Sequence, residues 1–229
     1  MSTFITVTPA TPNEGPLLAQ LMHDSFTEPF YANIFPTENG TDVKYYTRAW
    51  TGFCSQTELG NPVPEGVPTS MISQLGLRSV IATIRHEGKI VSGGLFWIIP
   101  AGKSVSQEPP AKRWGAALEG MSDEVIESFF NGMSIQHSAT MGTEPHVFVE
   151  VMMTHPDHRG KGYASALLNH ASSLADKDDI ACYLDADPAA VQLYKKHFYE
   201  IPSVSLENSE MTPMRRPTKS QRSAATVAQ

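Results

Sequence analysis

The chain has 229 residues, of which 41% are hydrophobic, which predicts one mixed α/β domain or at most two small ones. A net charge of −7 argues against binding to nucleic acid. No secretory signal and no membrane-length apolar run is visible, so we expect a soluble, cytoplasmic protein that does not bind membranes. Cys54 and Cys182 lack metal-type or CxxC spacing, so a disulfide framework is not expected.

The N-terminal segment predicts a strand followed by a capped helix. Residues 4–7 form a short β-type run that ends before Pro9. Thr11, Pro12 and Glu14 then stand at the N-cap, N1 and N3 positions of a capping box. Apolar residues follow on one helix face: Leu17, Leu18, Leu21, Met22 and Phe26.

Residues 27–75 are interrupted by prolines and rich in aromatic residues, and they predict a loop with one or two helices. Residues 43–54 have the spacing of a helix. The aromatic residues of the segment include Phe30, Tyr31, Phe35, Tyr45, Tyr46 and Trp50. They either line a substrate pocket or cover the edge of the core.

A β-hairpin and a long insertion come next. Residues 78–85 and 90–99 are apolar runs joined by a four-residue turn that contains glycine. Gly93 and Gly94 inside the second run indicate a bulge or a close approach by another element. Residues 100–145 then interrupt the series of strands, with a short helix expected at 123–131. A connection this long is either a lid or binding element or a surface insertion.

The central stretch, residues 147–175, predicts a strand, a glycine-rich turn and an amphipathic helix. Residues 147–153 are apolar except for Glu150, residues 159–162 form the turn, and apolar residues recur at helical spacing over 164–175. Glycines let backbone amides approach a ligand closely, and a helix start adds unpaired N–H groups and the positive end of its dipole. The stretch therefore predicts an anion site suited to a pyrophosphate.

A further strand and a short capped helix follow. Residues 180–186 form an apolar run. Asp187 followed by Pro188 is an N-cap with proline at N1. The helix after it carries Ala190, Val191, Tyr194 and Phe198 on one face.

The C-terminal part predicts edge strands and a tail. Residues 199–216 are expected to supply one or two edge strands, around Val204 and Met214. Residues 217–229 show no periodicity, so we expect a disordered tail after a domain that spans residues 1–216.

Two common phosphate-binding motifs fit the turn poorly. The pattern GxxxxGK[ST] is absent. The dinucleotide fingerprint GxGxxG is nearly present, with Gly160, Gly162 and then Ser165, and Asp185 lies about twenty residues further on. However, six connector residues separate the strand from Gly160, and about 65 residues after Ala164 are too few to complete a doubly wound sheet.

A third pattern fits better. Arg159-x-x-Gly162-x-Ala164, between a strand and a helix, resembles the [QR]-x-x-G-x-[GA] acyl-CoA motif of the GNAT N-acetyltransferase family. Downstream, the strand that ends near Asp185 and the helix that carries Tyr194 resemble the family's second motif. The resemblance covers roughly residues 3–202 and looks most like fungal small-molecule-type members. It implies the GNAT fold of the α/β (α+β) class, a mixed, mostly antiparallel central sheet with helices on both faces.

The resemblance also implies roles for individual residues. Met152, Met153 and Thr154 would offer backbone groups to the pantetheine arm, which would lie beside the strand like an added strand. The pyrophosphate would be bound by Arg159, Gly160, Lys161, Gly162, Tyr163 and Ala164. Tyr194 would stand near the thioester sulfur and protonate or hydrogen-bond the leaving thiolate.

Glu150 has two alternative interpretations. It lies nine residues before Arg159, the offset at which histone-acetylating members of the family place a glutamate that acts as general base. Burial in an apolar strand disfavours the charged form of a carboxylate, which suits it to proton transfer from an amine. Alternatively, Glu150 is a structural carboxylate paired with an arginine such as Arg78 or Arg85.

These assignments predict an N-acetyltransferase. The expected reaction is direct transfer of an acetyl group from acetyl-CoA to a primary amine of a small molecule in a ternary complex, by a monomer or homodimer. The alternatives are a protein N-terminal or lysine acetyltransferase, which needs an open groove, and a non-catalytic acyl-CoA-binding protein. No metal is expected, because His155 and His158 lack a third ligand at suitable spacing.

Overall fold

The computed structural model of the protein describes residues 4–56, 77–104, 110–203 and 210–227. Within these ranges the fold is built on one six-stranded sheet whose strands lie in chain order. The strands are β1 (Thr8–Pro9), β2 (Arg78–His86), β3 (Lys89–Ile99), β4 (His146–Thr154), β5 (Ala181–Ala186) and β6 (Thr212–Arg216). Neighbouring strands are antiparallel except β4 and β5, which are parallel. The predicted mixed, mostly antiparallel sheet is confirmed.

Helices cover both faces of the sheet. In the described ranges they are α1 (Gly15–Ser25), α2 (Pro29–Ile34), α3 (Thr41–Gln56), α4 (Pro110–Trp114), α5 (Asp123–Met141), α6 (Tyr163–Lys177), α7 (Val191–Lys195) and α8 (Lys219–Val227). Because neighbouring strand residues point to opposite faces, Trp97 enters the core under α1, α3 and α5, whereas Phe96 enters the core under α6. The sheet is therefore buried on both sides.

A β-bulge distorts the middle of β4. Leu95 of β3 pairs with Val151, whereas the next residue, Phe96, pairs with Val149. Glu150 is thus the extra residue on β4, opposite no partner on β3. A bulge re-aims the side chain that it carries, and here that side chain is a carboxylate.

The two parallel strands part where this bulge begins. Their pairing ends at Val149 and Leu184. On the side of β5, the edge of β4 from Glu150 to Thr154 has no paired strand among the described residues. The sheet therefore holds a wedge-shaped opening, called the β4–β5 wedge below, whose vertex lies at Val149 and Leu184.

The glycine pair of β3 marks a close approach. A Cβ atom on Gly93 would lie 3.1 Å from Leu18 Cδ2 of α1 and 3.2 Å from Met153 Cε. A Cβ atom on Gly94 would lie 2.6 Å from the ring of Phe96. The close approach is thus confirmed, whereas the glycines themselves form no bulge, because both pair in regular register with β2 and β4.

The N-terminal strand lies later in the chain than predicted. Residues 4–7 form no regular secondary structure. Phe4 is 96% exposed and therefore does not pack on the sheet. β1 instead pairs Thr8 with Thr83 of β2. The capping-box contact is present, because the Thr11 N–H donates to the Glu14 carboxylate at 2.7 Å. A 3₁₀ turn at Pro12–Glu14 precedes α1.

Other helix boundaries also differ from prediction. The helix predicted at 43–54 is α3, with wider bounds. α5 continues to Met141 instead of ending near 131, because Gln136 and His137 in its second half are buried against the sheet. Of the two predicted edge positions, Met214 lies in β6, and Val204 lies outside the described residues.

The predicted disordered tail is wrong for residues 219–227, which form α8. Asp176 of α6 accepts hydrogen bonds from both Nη atoms of Arg216 in β6, at 2.8 and 2.9 Å. The same carboxylate accepts from Arg222 Nη2 of α8 at 3.0 and 3.1 Å. One carboxylate thus ties α6, β6 and α8 together, a long-range contact that helical periodicity does not reveal.

We predict that Asp176→Asn destabilises the protein in a pH-dependent way. Hydrogen bonds from Arg216, followed by those from Arg222, hold the pKa of Asp176 below its ordinary value. The stabilisation is therefore fully present above the unfolded pKa near 4 and is lost as the pH falls through the folded pKa. Allowing for solvent screening of this partly exposed site, urea unfolding at pH 7 should show a loss of about 1–2 kcal/mol.

The matched control is Asp178→Asn, which changes an exposed aspartate two residues away. This control should unfold like the unaltered protein at both pH 7 and pH 4. Equal stability of the two variants at pH 7 would contradict the role given to Asp176.

Candidate functional site

The turn between β4 and α6 presents unpaired amides. Gly160 and Gly162 have φ angles of 77° and 84°, which glycine adopts without strain. Within the described part of the chain, the N–H groups of residues 160–163 have no backbone hydrogen-bond partner. A Cβ atom on Gly160 would meet no atom within 4 Å, so the turn faces open space. Amides and a helix N-terminus arranged in this way can bind an anion.

Arg159 braces the turn against α1. Its Nη2 donates to the Ser25 carbonyl at 2.8 Å, and its Nε donates to the Thr154 carbonyl at 3.3 Å. Ser25 is the last residue of α1, where unpaired carbonyls and the helix dipole favour a cation. Arg159 therefore fixes the turn next to the end of β4, and exposed Lys161 adds a second positive charge to the turn.

A cavity of about 740 Å³ connects this turn to the β4–β5 wedge. The predicted binding residues that line it are Met152, Met153, Thr154, Arg159, Gly160, Gly162, Tyr163 and Ala164. Lys161 belongs to the turn but does not line the cavity. The open edge of β4 runs along the cavity, so its unpaired backbone groups are available to an extended ligand.

The opposite wall of the cavity is apolar and comes from the segments that flank α2 and from the long insertion. It consists mainly of Phe26, Tyr31, Phe35, Phe129, Phe130 and Met133. Tyr45, Tyr46 and Trp50 lie in the core instead. Some of the aromatic residues thus line the cavity and others belong to the core. The insertion contributes to the cavity through α4 and α5.

Glu150 is enclosed by hydrogen-bond donors. Its Oε1 accepts from Arg113 Nη2 at 2.8 Å and Nε at 3.2 Å, and from Trp114 Nε1 at 3.0 Å. Its Oε2 accepts from Trp97 Nε1. The side chains of Glu150 and Arg113 are 5% and 8% exposed. The ion-pair partner is thus Arg113 of α4, and neither Arg78 nor Arg85 fills that place.

Tyr194 lies in the cavity wall on α7. The residue is buried, and this burial, followed by the nearby charge of Asp187, raises the pKa of its hydroxyl to about 12. Tyr31 of α2 lines the same cavity, and burial raises its pKa as well. Both phenols therefore stay protonated at neutral pH and can donate hydrogen bonds.

Asp185 also lines the cavity, although the resemblance to the acyl-CoA motif implied no role for it. Its Oδ1 accepts from the Tyr183 hydroxyl at 2.7 Å and from Gln136 Nε2 at 2.6 Å. Burial raises its pKa to about 7. A carboxylate at the end of an apolar strand is a signal that could have identified it, but Gln136 lies in the part of α5 that was not predicted.

His155 and His158 form no metal site with other residues. Among the residues that the structure describes, no three His, Cys, Asp or Glu side chains are grouped so as to hold a metal ion. No helix in the described ranges is long and apolar enough to cross a bilayer.

A family model matches more than half of the chain. Residues 64–198 match the model of the acetyltransferase (GNAT) family. No curated protein matches the sequence significantly. The resemblance to fungal small-molecule-type members is not supported by the comparisons.

Solved structures of acetyltransferases share this fold. One from Corynebacterium glutamicum, described as histone acetyltransferase HPA2 and related acetyltransferase, is 21% identical with a TM-score of 0.55, and the match covers 95% of this chain and 97% of that chain. The PaiA N-acetyltransferase of Thermoplasma acidophilum, in complex with coenzyme A, is 11% identical with a TM-score of 0.53 and coverages of 94% and 99%. The polyamine N-acetyltransferase of Drosophila melanogaster is 15% identical with a TM-score of 0.55 and coverages of 93% and 97%.

We predict that Arg113→Met destabilises the protein strongly. Removing the guanidinium leaves the Glu150 carboxylate buried without its counter-ion, which costs about 3–5 kcal/mol. Urea unfolding measures the loss. Adding Glu150→Gln to this variant should recover part of it, because the uncompensated charge is then removed.

Arg215→Met is the matched control. Arg215 pairs with Glu144, whose side chain is 61% exposed, and a surface pair contributes less than about 1 kcal/mol. If both arginine variants lost the same stability, Glu150 would not be the buried anchor described here.

Proposed function

The chain belongs to the acetyltransferase (GNAT) family and is an acyltransferase, and we propose that it moves an acetyl group from acetyl-CoA to a primary amine of a small molecule. The transfer is direct, within a ternary complex. The observation that carries this proposal is that the unpaired amides of the turn, the open edge of β4 and Tyr194 all face one cavity. Acetyl-CoA supplies the activated acetyl group as a thioester.

The turn suits the diphosphate of this donor. The N–H groups of residues 160–163 have no backbone partner and lie at the start of α6, Gly160 borders open space, and Lys161 adds charge beside them. Arg159 acts mainly by holding the turn in place, because its donors are engaged by Ser25 and Thr154. The backbone groups of residues 150–153 that face the open edge suit the amide groups of the pantetheine arm, whereas the Thr154 carbonyl already accepts from Arg159.

Tyr194 suits the role of acid toward the leaving sulfur. Its hydroxyl keeps its proton at neutral pH, because burial raises its pKa to about 12. A phenol of this kind stabilises a developing thiolate by donating a hydrogen bond or a proton.

Glu150 suits a structural role better than that of general base. Both of its oxygens already accept hydrogen bonds, and one donor is the cation of Arg113. These donors occupy the lone pairs that an incoming proton needs. We therefore assign Glu150 to anchoring α4 on the bulge.

The shape of the acceptor side favours small amines over a protein substrate. Aromatic side chains of α5 and of the segment around α2 line the cavity and contact one another, whereas an extended polypeptide needs an open groove. Apolar walls with a few polar groups are typical of small-molecule sites. A thiol-release assay across small primary amines and across peptides with free N-termini or lysines tests this point. Turnover confined to the peptides would overturn the acceptor class.

We predict that Gly162→Glu abolishes measurable binding of acetyl-CoA. A side chain at a φ of 84° is strained, and a carboxylate in the turn repels a diphosphate. Calorimetry should show affinity weakened by about 100-fold or more.

The matched control is Gly102→Glu, which places the same side chain at a φ of 78° in open space in the turn after β3. This residue does not line the cavity, so its variant should bind acetyl-CoA normally. Normal binding by the Gly162 variant would remove the turn from the donor site.

We predict that Tyr194→Phe slows turnover more than it weakens donor binding. Loss of the phenolic proton should lower kcat by about 100-fold while the Kd for acetyl-CoA changes less than about threefold. Tyr199→Phe is the control, because Tyr199 packs against Tyr194 but does not line the cavity. Equal effects of the two variants on kcat would argue against an acid role for Tyr194.

A further inference from the structure

We propose that Asp185 is the catalytic base, which takes a proton from the ammonium group of the acceptor amine at the vertex of the β4–β5 wedge. The inference rests on the acetyl transfer proposed above and adds a residue to it. Asp185 directly follows Leu184, the last residue of β5 that pairs with β4, and it lines the cavity. Glu150 occupies the matching place after Val149 on β4. Two carboxylates therefore flank the point where the strands part.

The two carboxylates differ in their partners. Glu150 is neutralised by a guanidinium and accepts from two indoles. Asp185 accepts two hydrogen bonds on Oδ1, both from neutral donors, Tyr183 and Gln136. In the described part of the chain, Oδ2 of Asp185 has no hydrogen-bond donor and Asp185 forms no ion pair. A partly exposed carboxylate with a free oxygen can receive both an ammonium group and its proton.

The neighbours of Asp185 hold Oδ1 and leave Oδ2 to the cavity. Gln136 is 1% exposed, and its Nε2 also donates to the Met211 carbonyl at 3.2 Å, which fixes the amide between β5 and the chain before β6. The ring of Tyr183 stacks on that of His137, with 4.1 Å between centroids and 7° between planes. Asp185 is thus positioned by side chains that cannot move freely.

The surroundings give Asp185 the proton affinity that a base needs. Burial is the main cause that raises its pKa to about 7, and the charge of Glu150 adds to the effect. Hydrogen bonds from Tyr183 and Gln136 act in the opposite direction, because they favour the ionised form. A base whose pKa lies near the working pH is effective in proton transfer.

The charged and titratable side chains of the elements around Asp185 do not neutralise the negative charge of its carboxylate. From α4, Arg113 is bound to Glu150. From β6, Arg215 is directed to Glu144. From α5, His137 is neutral at pH 7, because burial and the neighbouring His146 lower its pKa well below the ordinary value. On the α7 side, Asp187 caps the turn at Ala189 and Tyr194 remains protonated.

The proposed step balances in atoms and charge. Oδ2 of Asp185 takes one proton from R–NH₃⁺, which leaves R–NH₂ and a neutral carboxylic acid. The nitrogen lone pair attacks the thioester carbonyl carbon, so that an N–C bond forms and the C–S bond breaks. Tyr194 gives a proton to the departing sulfur and recovers one from the acylated nitrogen. Asp185 then releases its proton to solvent, and the sum is R–NH₃⁺ plus thioester to amide, thiol and one proton.

The test is the pH profile of kcat/KM between pH 5.5 and 8.5 for the best amine of the panel. The unaltered protein should show a rise that levels off near pH 7, where Asp185 becomes ionised. Asp185→Asn keeps an acceptor for Tyr183 and Gln136 but cannot take a proton. This variant should lose about 100-fold in kcat/KM at pH 7 and bind acetyl-CoA normally by calorimetry. Its rate should rise log-linearly with pH, following the fraction of free amine.

Tyr183→Phe provides an independent readout. It removes a hydrogen bond that lowers the pKa of Asp185, so the limb near pH 7 should move to higher pH. Asp178→Asn, the same chemical change at an exposed residue, should keep the original profile.

Two results would overturn the inference while leaving the proposed function intact. One is an Asp185→Asn variant whose pH profile retains the limb near pH 7. Any loss of activity in that variant would then have a structural cause, whatever its size. The other is a Tyr183→Phe variant whose limb does not move. Absence of transfer to every amine and peptide by the unaltered protein is a different outcome, which overturns the proposed function as well.

Discussion

The site depends on one buried carboxylate at a β-bulge. Glu150 is the extra residue in β4, and the bulge directs its side chain into the core beneath α1, α3 and α5. An unpaired charge is costly there. Arg113 and Trp114 of α4 and Trp97 of β3 supply the donors. A buried ion pair adds little net stability over an apolar packing, but it defines which segment must dock there. The insertion is thereby tied to the centre of the sheet.

This anchor connects the two halves of the cavity. The bulge lies directly after the last residue of β4 that pairs with β5, so the open edge of β4 starts where α4 is anchored. α5 follows α4, and its aromatic residues Phe129 and Phe130 form part of the apolar wall of the cavity. Phe130 contacts Trp114, and Phe129 contacts Phe35, which continues the aromatic cluster toward α3. The open edge of β4 and the apolar wall are therefore held by one continuous set of contacts.

Much of this arrangement could be predicted from local sequence. The hairpin, the central strand, the glycine turn and α6 have strong periodicity and fixed turn chemistry, and each lies where predicted. The features that escaped prediction depend on contacts distant in the chain. The second half of α5 is helical because Gln136 and His137 pack on β5, and α8 forms beside Asp176, more than forty residues earlier. Pairing of Glu150 with Arg113 instead of Arg78 or Arg85 likewise follows from where α4 docks.

The roles of the two carboxylates show why spacing to a motif is a weak guide to chemistry. Glu150 stands at the offset that a base would occupy, yet Arg113 and two indoles together direct four N–H donors at its carboxylate. Asp185, one strand away, meets only neutral donors on one oxygen, and the negative charge of Glu150 makes its own ionisation less favourable. The sequence places both groups after paired apolar residues, Val149 and Leu184. Packing of α4 and α5 sets these surroundings, so that one carboxylate is bound to a guanidinium and the other accepts only from neutral donors.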